Sequence, residues 1–394
     1  MNVAILFINI GYYHYARLSA ALDACAGRGW RAVGIQVTGS TLDHPWGSIE
    51  AGRNVPIVTM QAQSDRHAAS RGKIPAIGTE RVHECLEGIR PDVVFLPGWS
   101  FEICRQCIAW CRKQSVPVVL MSESKLDDER RTWLKERLKS ALYVRHFKAA
   151  LVGGGIHGKY AESLGIPRDR IFTGYDVVDN AHFEAGADRA RGEPVETRRA
   201  FPKIPDGPYF IVVSRLVERK NILGLVRAYK RYVDKVEGPA NAWDLVICGK
   251  GPQLEIVLEE VSGSNLDGRV HLPGFAPYSE MPAWYGMAGA FVHPALQEQW
   301  GLVVNEACAS GLPVIVSKTA GASYDLVADG KNGFLIDPAD IDDMADKLSL
   351  LHGSSGETLR QMGSYSRKLA QKLAPERFGE GVVKAVLSLQ ARNV

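Results

Sequence analysis

Short apolar runs recur along the whole chain, separated mostly by helix-periodic stretches, and this rhythm restricts the fold more than any other feature. VAILFIN (3–9), RAVGIQV (31–37), VPIVTM (55–60), DVVFLPG (92–98), PVVLMS (117–122), AALVGG (149–154) and RIFTGYD (170–176) read as strands. Between most of them lie amphipathic or apolar helical patterns, such as 14–28 and 127–147. Strands that alternate with helices in this way argue for a parallel sheet covered on both faces. The rhythm resumes at YFIVVSR (209–215), WDLVICG (243–249), VHLPG (270–274), GAFVHPA (289–295), LPVIVSK (312–318) and NGFLID (332–337). From Asp340 onward the pattern is helical.

The polar stretch NAHFEAGADRARGEPVETRRAFPKIPDGP, residues 180–208, is rich in proline and charge and shows no sustained strand pattern, so it reads as an interdomain connection. The expectation is two doubly wound α/β domains, 1–183 and 207–376, joined by a linker at 184–206 and facing a central cleft. The C-terminal helix, 377–394, is expected to pack back on the first domain. A length of 394 residues fits two such domains.

Composition narrows the function classes. The chain is 46% hydrophobic and 23% charged, the balance of a soluble globular protein. A net charge of +3 without a basic block or aromatic–basic interleaving gives no reason to expect nucleic acid. No secretory leader or membrane span is legible, and seven cysteines without framework spacing suit a reducing cytoplasm. Cys104, Cys107 and Cys111 share one helix face and read as core. The charged run with Asp127, Asp128, Glu129, Arg130, Arg131, Lys135, Glu136, Arg137, Lys139, Arg145 and Lys148 reads as a solvated helix face. Its alternative is a patch for peripheral contact with the cytoplasmic face of a membrane.

Gly153, Gly155 and Gly158 stand in G-x-G-x-x-G order, with Asp176 placed 18 residues beyond, as a dinucleotide site would want. The glycines, however, follow the sixth strand and not the first. A lone match is weak, and the turn reads better as the wall of a substrate site, with Gly155 and His157 facing it.

The chemistry concentrates in HPALQEQWGLVVNEACASG, residues 293–311. Glu298 falls in a loop and Glu306 inside the following helix, so the two acids serve different atoms. The backbone N–H groups of Trp300, Gly301 and Leu302 open that helix and favour an anion. Glu306 suits a vicinal diol such as ribose, and Glu298 the hydroxyls of a sugar. In SRLVERKN, Arg215 ends a strand and Lys220 precedes a helix; together they neutralise a diphosphate without a metal. DPADIDD (337–343) has metal-like acid spacing but reads as the start of a helix.

These segments, with CGKGP, HLPGF and DGKNGFLI, resemble the C-terminal half of the family 4 retaining glycosyltransferases of GT-B fold, in order from Tyr209 to about Phe378. In the N-terminal half the likeness is architectural. The resemblance implies two Rossmann-like domains, with acceptor binding in the first and a nucleotide-sugar donor in the second. It implies that Arg215 and Lys220 hold the donor diphosphate and Glu306 the ribose. Glu298, with the backbone of Gln299, Trp300 and Gly301, would orient the transferred sugar, and Gly249, Gly251 and Phe275 would flank the base. The first loop, Gly11, Tyr12, Tyr13 and His14, would hold phosphate or acceptor, with Trp99 also on the acceptor side. Where many members carry a histidine after the fifth strand, this chain has Glu123, which reads equally as an acceptor contact or a helix-cap acid.

The implied activity is retaining transfer from a nucleoside-diphosphate sugar to a hydroxyl acceptor, with no cofactor and no metal. The alternatives are a nucleotide-sugar epimerase or phosphorylase, or a non-catalytic nucleotide-sugar binder, on the same fold.

Overall fold

The computed structural model describes residues 1–38, 55–60, 77–128, 131–236, 241–264 and 266–390. All thirteen apolar runs are strands. The first unit contains β1 (Asn2–Phe7), β2 (Arg31–Gln36), β3 (Ile57–Thr59), β4 (Val93–Leu96), β5 (Val118–Ser122), β6 (Phe147–Val152) and β7 (Ile171–Thr173). The second contains β8 (Tyr209–Val213), β9 (Asp244–Cys248), β10 (Val270–Gly274), β11 (Ala290–His293), β12 (Val314–Ser317) and β13 (Gly333–Ile336). Every pairing is parallel. The order is β3-β2-β1-β4-β5-β6-β7 in one sheet and β10-β9-β8-β11-β12-β13 in the other. Both orders reverse direction beside the first strand of the unit, between β1 and β4 and between β8 and β11. Loops leaving two such strands part in opposite directions and open a crevice at their carboxyl ends.

Central strands such as β4 (VVFL) and β12 (VIVS) are buried along their whole length. This is the expected result when helices cover both faces of a parallel sheet. The helix Ile222–Lys235 shows the complementary pattern: Ile222, Leu225, Val226, Tyr229, Tyr232 and Val233 form one buried face. Cys104, Cys107 and Cys111 are buried on the helix Glu102–Lys113, and all seven cysteines are free and buried. Among the described residues, no helix is long and apolar enough to cross a membrane.

One compact unit is Met1–Asp179 together with Ala374–Val394, the other Asn180–Leu373. The 184–206 stretch expected as a linker is instead mostly helical and belongs to the second unit. Helix Asn180–Gly192 buries Asn180, Phe183, Ala187 and Ala190 along one stripe, and Pro194–Ala200 follows. It crosses Met281–Met287 so closely that a Cβ on Gly286 would lie 2.6 Å from the carbonyl oxygen of Ala187. Small residues make that crossing, and the surrounding charges mask their periodicity in the sequence.

The C-terminal helix Pro375–Gln390 lies against Tyr12–Ala26 in the first unit. A Cβ on Gly379 would come within 2.4 Å of the Ala20 carbonyl oxygen. Gly379→Ala should therefore lower stability by about 1–3 kcal/mol, because overpacking outweighs alanine's better helix propensity. Urea unfolding checks this; a midpoint equal to or above wild type would contradict it.

Candidate functional site

The crevice between β8 and β11 is where the second unit gathers its charges. The loop after β8 runs through Arg215 and the short 3₁₀ turn Glu218–Lys220 into the helix Ile222–Lys235. The loop after β11 runs through Glu298 to Gly301, the N-cap of the helix Leu302–Ala309. Backbone bonds join the two: the N–H groups of Leu296 and Gln297 donate to the Arg219 carbonyl at 2.9 and 3.3 Å. Side chains complete the joint. Lys220 Nζ pairs with Glu298 Oε2, and Arg219 Nη1 lies 3.8 Å from Glu298 Oε1. Lys220 and Glu298, expected to serve different parts of a ligand, thus hold each other. Arg215 is exposed.

Glycines let the neighbouring loop close in. Gly249, at φ +156°, packs on the backbone after β8 so tightly that a Cβ would lie 1.7 Å from the Ser214 carbonyl oxygen. A Cβ on Gly251 would lie 2.3 Å from that of Leu216. Only glycine tolerates both the positive φ at 249 and these approaches. Beyond them, Phe275 presents a ring that is 46% exposed just past β10.

Behind the Glu298 loop, Glu306 is buried in its helix and accepts a 2.8 Å hydrogen bond from Tyr285 Oη. The apolar sequence around Glu306 demands a partner for its carboxylate, and the tyrosine supplies one. Trp300 is also fully buried, its Nε1 donating to Asn305 Oδ1 at 2.8 Å. What this segment offers is therefore backbone, including the N–H groups of Gly301 and Leu302 at the helix start. Gly301 has φ +102°, and a Cβ there would crowd Glu298 Cγ at 3.3 Å and His293 Nε2 at 3.4 Å.

Three residues of this site escaped the sequence reading: Arg219, Tyr285 and His293. The signal for His293 was its position at the carboxyl end of β11, beside the crevice. Its ring is buried, and Nε2 lies 3.2 Å from Glu298 Oε2 without the alignment of a hydrogen bond. Among the described residues, neither ring nitrogen has a hydrogen-bond partner. Burial, then the cations Lys220 and Arg219, hold His293 well below the usual histidine range, so the ring is neutral.

In the first unit, Gly11 caps the helix Tyr12–Ala26 and its N–H donates to His14 Nδ1 at 3.3 Å. His157 repeats the device: Gly154 N–H donates to its Nδ1 at 3.1 Å at the start of Gly155–Ser163. In each neutral ring the proton is thereby left to Nε2. His157, expected to face a substrate, is buried, whereas a Cβ on Gly155 would meet open space. Tyr12 and Tyr13 are half-buried in the first turn. Trp99 stacks on Tyr143, ring centroids 6.3 Å apart, and packs on the core.

Asp176 is no ribose acid. It is buried against Arg17, with Nη2 3.4 Å from Oδ1, and Arg17 also covers the Tyr175 ring. Burial and the nearby Glu123 push the Asp176 carboxyl up, opposed by Arg17. Glu123, half-buried, therefore borders this charged cluster. The acids of DPADIDD are occupied locally: Asp340 caps Ile341–His352 by accepting from the N–H groups of Asp342 and Asp343.

Residues 195–369 match the family described as glycosyl transferases group 1. Sucrose synthase of Denitrovibrio acetiphilus is 30% identical over 197 residues, 46% of this chain and 24% of that protein. The GDP-mannose-dependent alpha-(1-6)-phosphatidylinositol monomannoside mannosyltransferase of Mycolicibacterium smegmatis is 33% identical over 172 residues, 41% of this chain and 44% of that protein. The matched stretch thus spans less than half the length of these relatives. Anabaena Alr3699/HepE, crystallised in complex with UDP and glucose, superposes with a TM-score of 0.72 at 15% identity, covering 98% of this chain and 100% of that one. The fold is GT-B. The likeness to the group 1 glycosyltransferases therefore runs through the second unit.

The neutral His293 has a consequence for stability. The unfolded chain protonates this histidine below about pH 6.5 whereas the folded one resists, so stability is lost as pH falls through that value, by at most about 1.4 kcal/mol per pH unit. Melting temperatures between pH 7.5 and 5 should fall less steeply for His293→Gln than for wild type. Parallel profiles would show that His293 does not titrate differently on folding.

Proposed function

We propose that the protein is a retaining glycosyltransferase that moves a sugar from a nucleoside-diphosphate sugar to a hydroxyl acceptor without a metal ion. The observation that carries this reading is the joined pair of loops at the β8–β11 crevice. There Lys220 and Glu298 are held together, beside the exposed Arg215 and the buried Glu306.

A donor diphosphate draws Lys220 away from Glu298 and recruits Arg215, the guanidinium as a fork and the ammonium as a point charge. The helix start at Gly301–Leu302 adds its dipole. Glu298, released from Lys220, turns to the hydroxyls of the transferred sugar. Glu306 exchanges or shares Tyr285 with the ribose diol, and Phe275 stacks on the base beside Gly249 and Gly251.

In the reaction, the bond between the anomeric carbon and the phosphate oxygen breaks, and its electron pair goes to the diphosphate. The acceptor oxygen bonds to the anomeric carbon, and its proton passes to the departing diphosphate. Arg215 and Lys220 stabilise the charge that develops there. Retention of configuration is supported by the E-x₇-E segment, Glu298 to Glu306, typical of the retaining family. His14, with Nε2–H as its donor, and Glu123 are assigned to the reacting-sugar and acceptor side. Seven free buried cysteines support a reducing compartment, the cytoplasm.

Thermal shift tests the donor assignment. At about 100 times Kd, one of UDP, GDP, ADP or dTDP should add about 2.7 kcal/mol of stability. Arg215→Ala, Lys220→Ala and Glu306→Ala should each weaken its binding about 10- to 100-fold, the loss expected for a charge-assisted hydrogen bond. No shift with any of the four would remove the main support for the reading.

Turnover tests the chemistry. With the matching nucleotide sugar, Glu298→Gln should lose kcat while nucleoside-diphosphate affinity stays within about threefold, because its partner is the sugar. NMR of the product should show the donor's anomeric configuration, and chelator should leave the rate unchanged. An inverted product or a chelator-dependent rate would refute those two parts.

A further inference from the structure

The helix Trp133–Leu142 is built the wrong way round for a helix of a free-standing soluble domain. None of its residues is buried. It holds to its unit through polar groups: Tyr160 Oη donates to Glu136 Oε2 at 2.6 Å, and Ser140 Oγ donates to the Leu164 carbonyl at 2.5 Å. Lys139 Nζ reaches Glu136 Oε1 at 2.9 Å. At the helix end Tyr143 stacks on Trp99. The opposite side carries Leu134, Leu138 and Leu142, spaced by four residues and 71, 56 and 47% exposed. Trp133, at the start of the helix, is 71% exposed, with the Arg137 guanidinium 4.8 Å from its ring centroid.

Charge selects the occupant of this apolar face. Lys135 and Arg137 flank the leucines and are exposed, as are Arg145 and Lys148 beyond the helix. The single acid within the helix, Glu136, points inward onto Tyr160, Lys139 and Arg131. Nearby, Asp128 is buried against Arg131, and the exposed Asp127 is paired with Lys125. Glu129 and Arg130, also part of the charged run, lie outside the described residues. Burial, then Arg112, Arg145 and Lys148, holds His146 below the usual histidine range, a sign of the positive field at this end of the unit. A second copy of the chain laid on the same leucines would set these cations against their own counterparts. A bilayer with anionic headgroups instead takes the leucines and Trp133 into its interface and neutralises the flanking cations.

We propose that the outward face of Trp133–Leu142, formed by Trp133, Leu134, Leu138 and Leu142 with Lys135 and Arg137, docks the protein on an anionic lipid surface. This takes up the alternative reading of the charge pattern, a patch for peripheral membrane contact. It lies on the first unit, in which the acceptor side is proposed, and it stands or falls apart from the donor chemistry of the second.

Co-sedimentation of the full chain with vesicles tests this. Mixed phosphatidylcholine–phosphatidylglycerol vesicles should pellet the protein at about 0.15 M salt, and phosphatidylcholine alone should not. Each flanking cation is worth about fivefold in partitioning near an anionic surface. Lys135→Glu with Arg137→Glu should therefore weaken binding at least about tenfold. Leu134→Ser, Leu138→Ser and Leu142→Ser together should abolish it. These positions are exposed, so the variants should keep the wild-type melting temperature and its shift with nucleoside diphosphate; that shift reports the donor reading separately. Failure of wild type to bind the mixed vesicles, or equal binding by both variants, overturns the proposal. So does a dimer in size-exclusion chromatography that the triple serine variant dissolves, because the leucines would then belong to a second copy.

Discussion

Everything at the candidate site depends on the reversal of strand order between β8 and β11. A parallel sheet whose order runs outward in both directions from its first strand cannot send both central loops the same way. The chain leaves a crevice there, and the loops after β8 and β11 line it. Hydrogen bonds from Leu296 and Gln297 to the Arg219 carbonyl then fix how far apart the loops stand. That spacing brings Lys220 to Glu298 across 78 residues of sequence. Gly249 and Gly251 let the third loop pack on the first, because any Cβ at either position would strike backbone.

The charges of the site satisfy one another. Lys220 neutralises Glu298, and Tyr285 holds Glu306. A buried carboxylate without a partner is costly, and here each acid has one. His293 is the exception, a buried neutral ring against Glu298 with no hydrogen bond to any of the described residues. The first unit uses its histidines differently. In G-Y-Y-H and G-G-I-H the imidazole at the third helical position caps the glycine N–H, which fixes the ring and its tautomer.

The strands were legible because each is a short apolar run bounded by turn residues, and that pattern survives without tertiary information. The site segment was legible because Glu306 sits where an apolar helix would not carry an acid without a reason. The helix Asn180–Gly192 was not: its buried stripe relies on alanine and glycine, whose small size matters only once Pro282 and Gly286 lie against them. His157 read as a substrate residue because a sequence does not show that a glycine N–H three positions earlier claims its Nδ1. The charged run at 127–148 left two readings, a solvated face and a membrane patch, because alternating charges look alike whichever way the helix faces. Only the fold turns Glu136 and Ser140 inward and leaves the leucines outside.

By itself the sequence determined the two-fold repetition of alternating strands and helices, and with it two doubly wound sheets. It also determined which charged residue types stand in the loops after β8 and β11. These follow from local periodicity and from the chemistry of single side chains. The tertiary structure decided which of those side chains meet. Lys220 finds Glu298 because strand order, not sequence distance, sets which loops are neighbours, and Tyr285 reaches Glu306 from one helix to another. It also decided which face of Trp133–Leu142 is left to the outside, because a helix is oriented by the partners its neighbours offer and not by its own pattern alone.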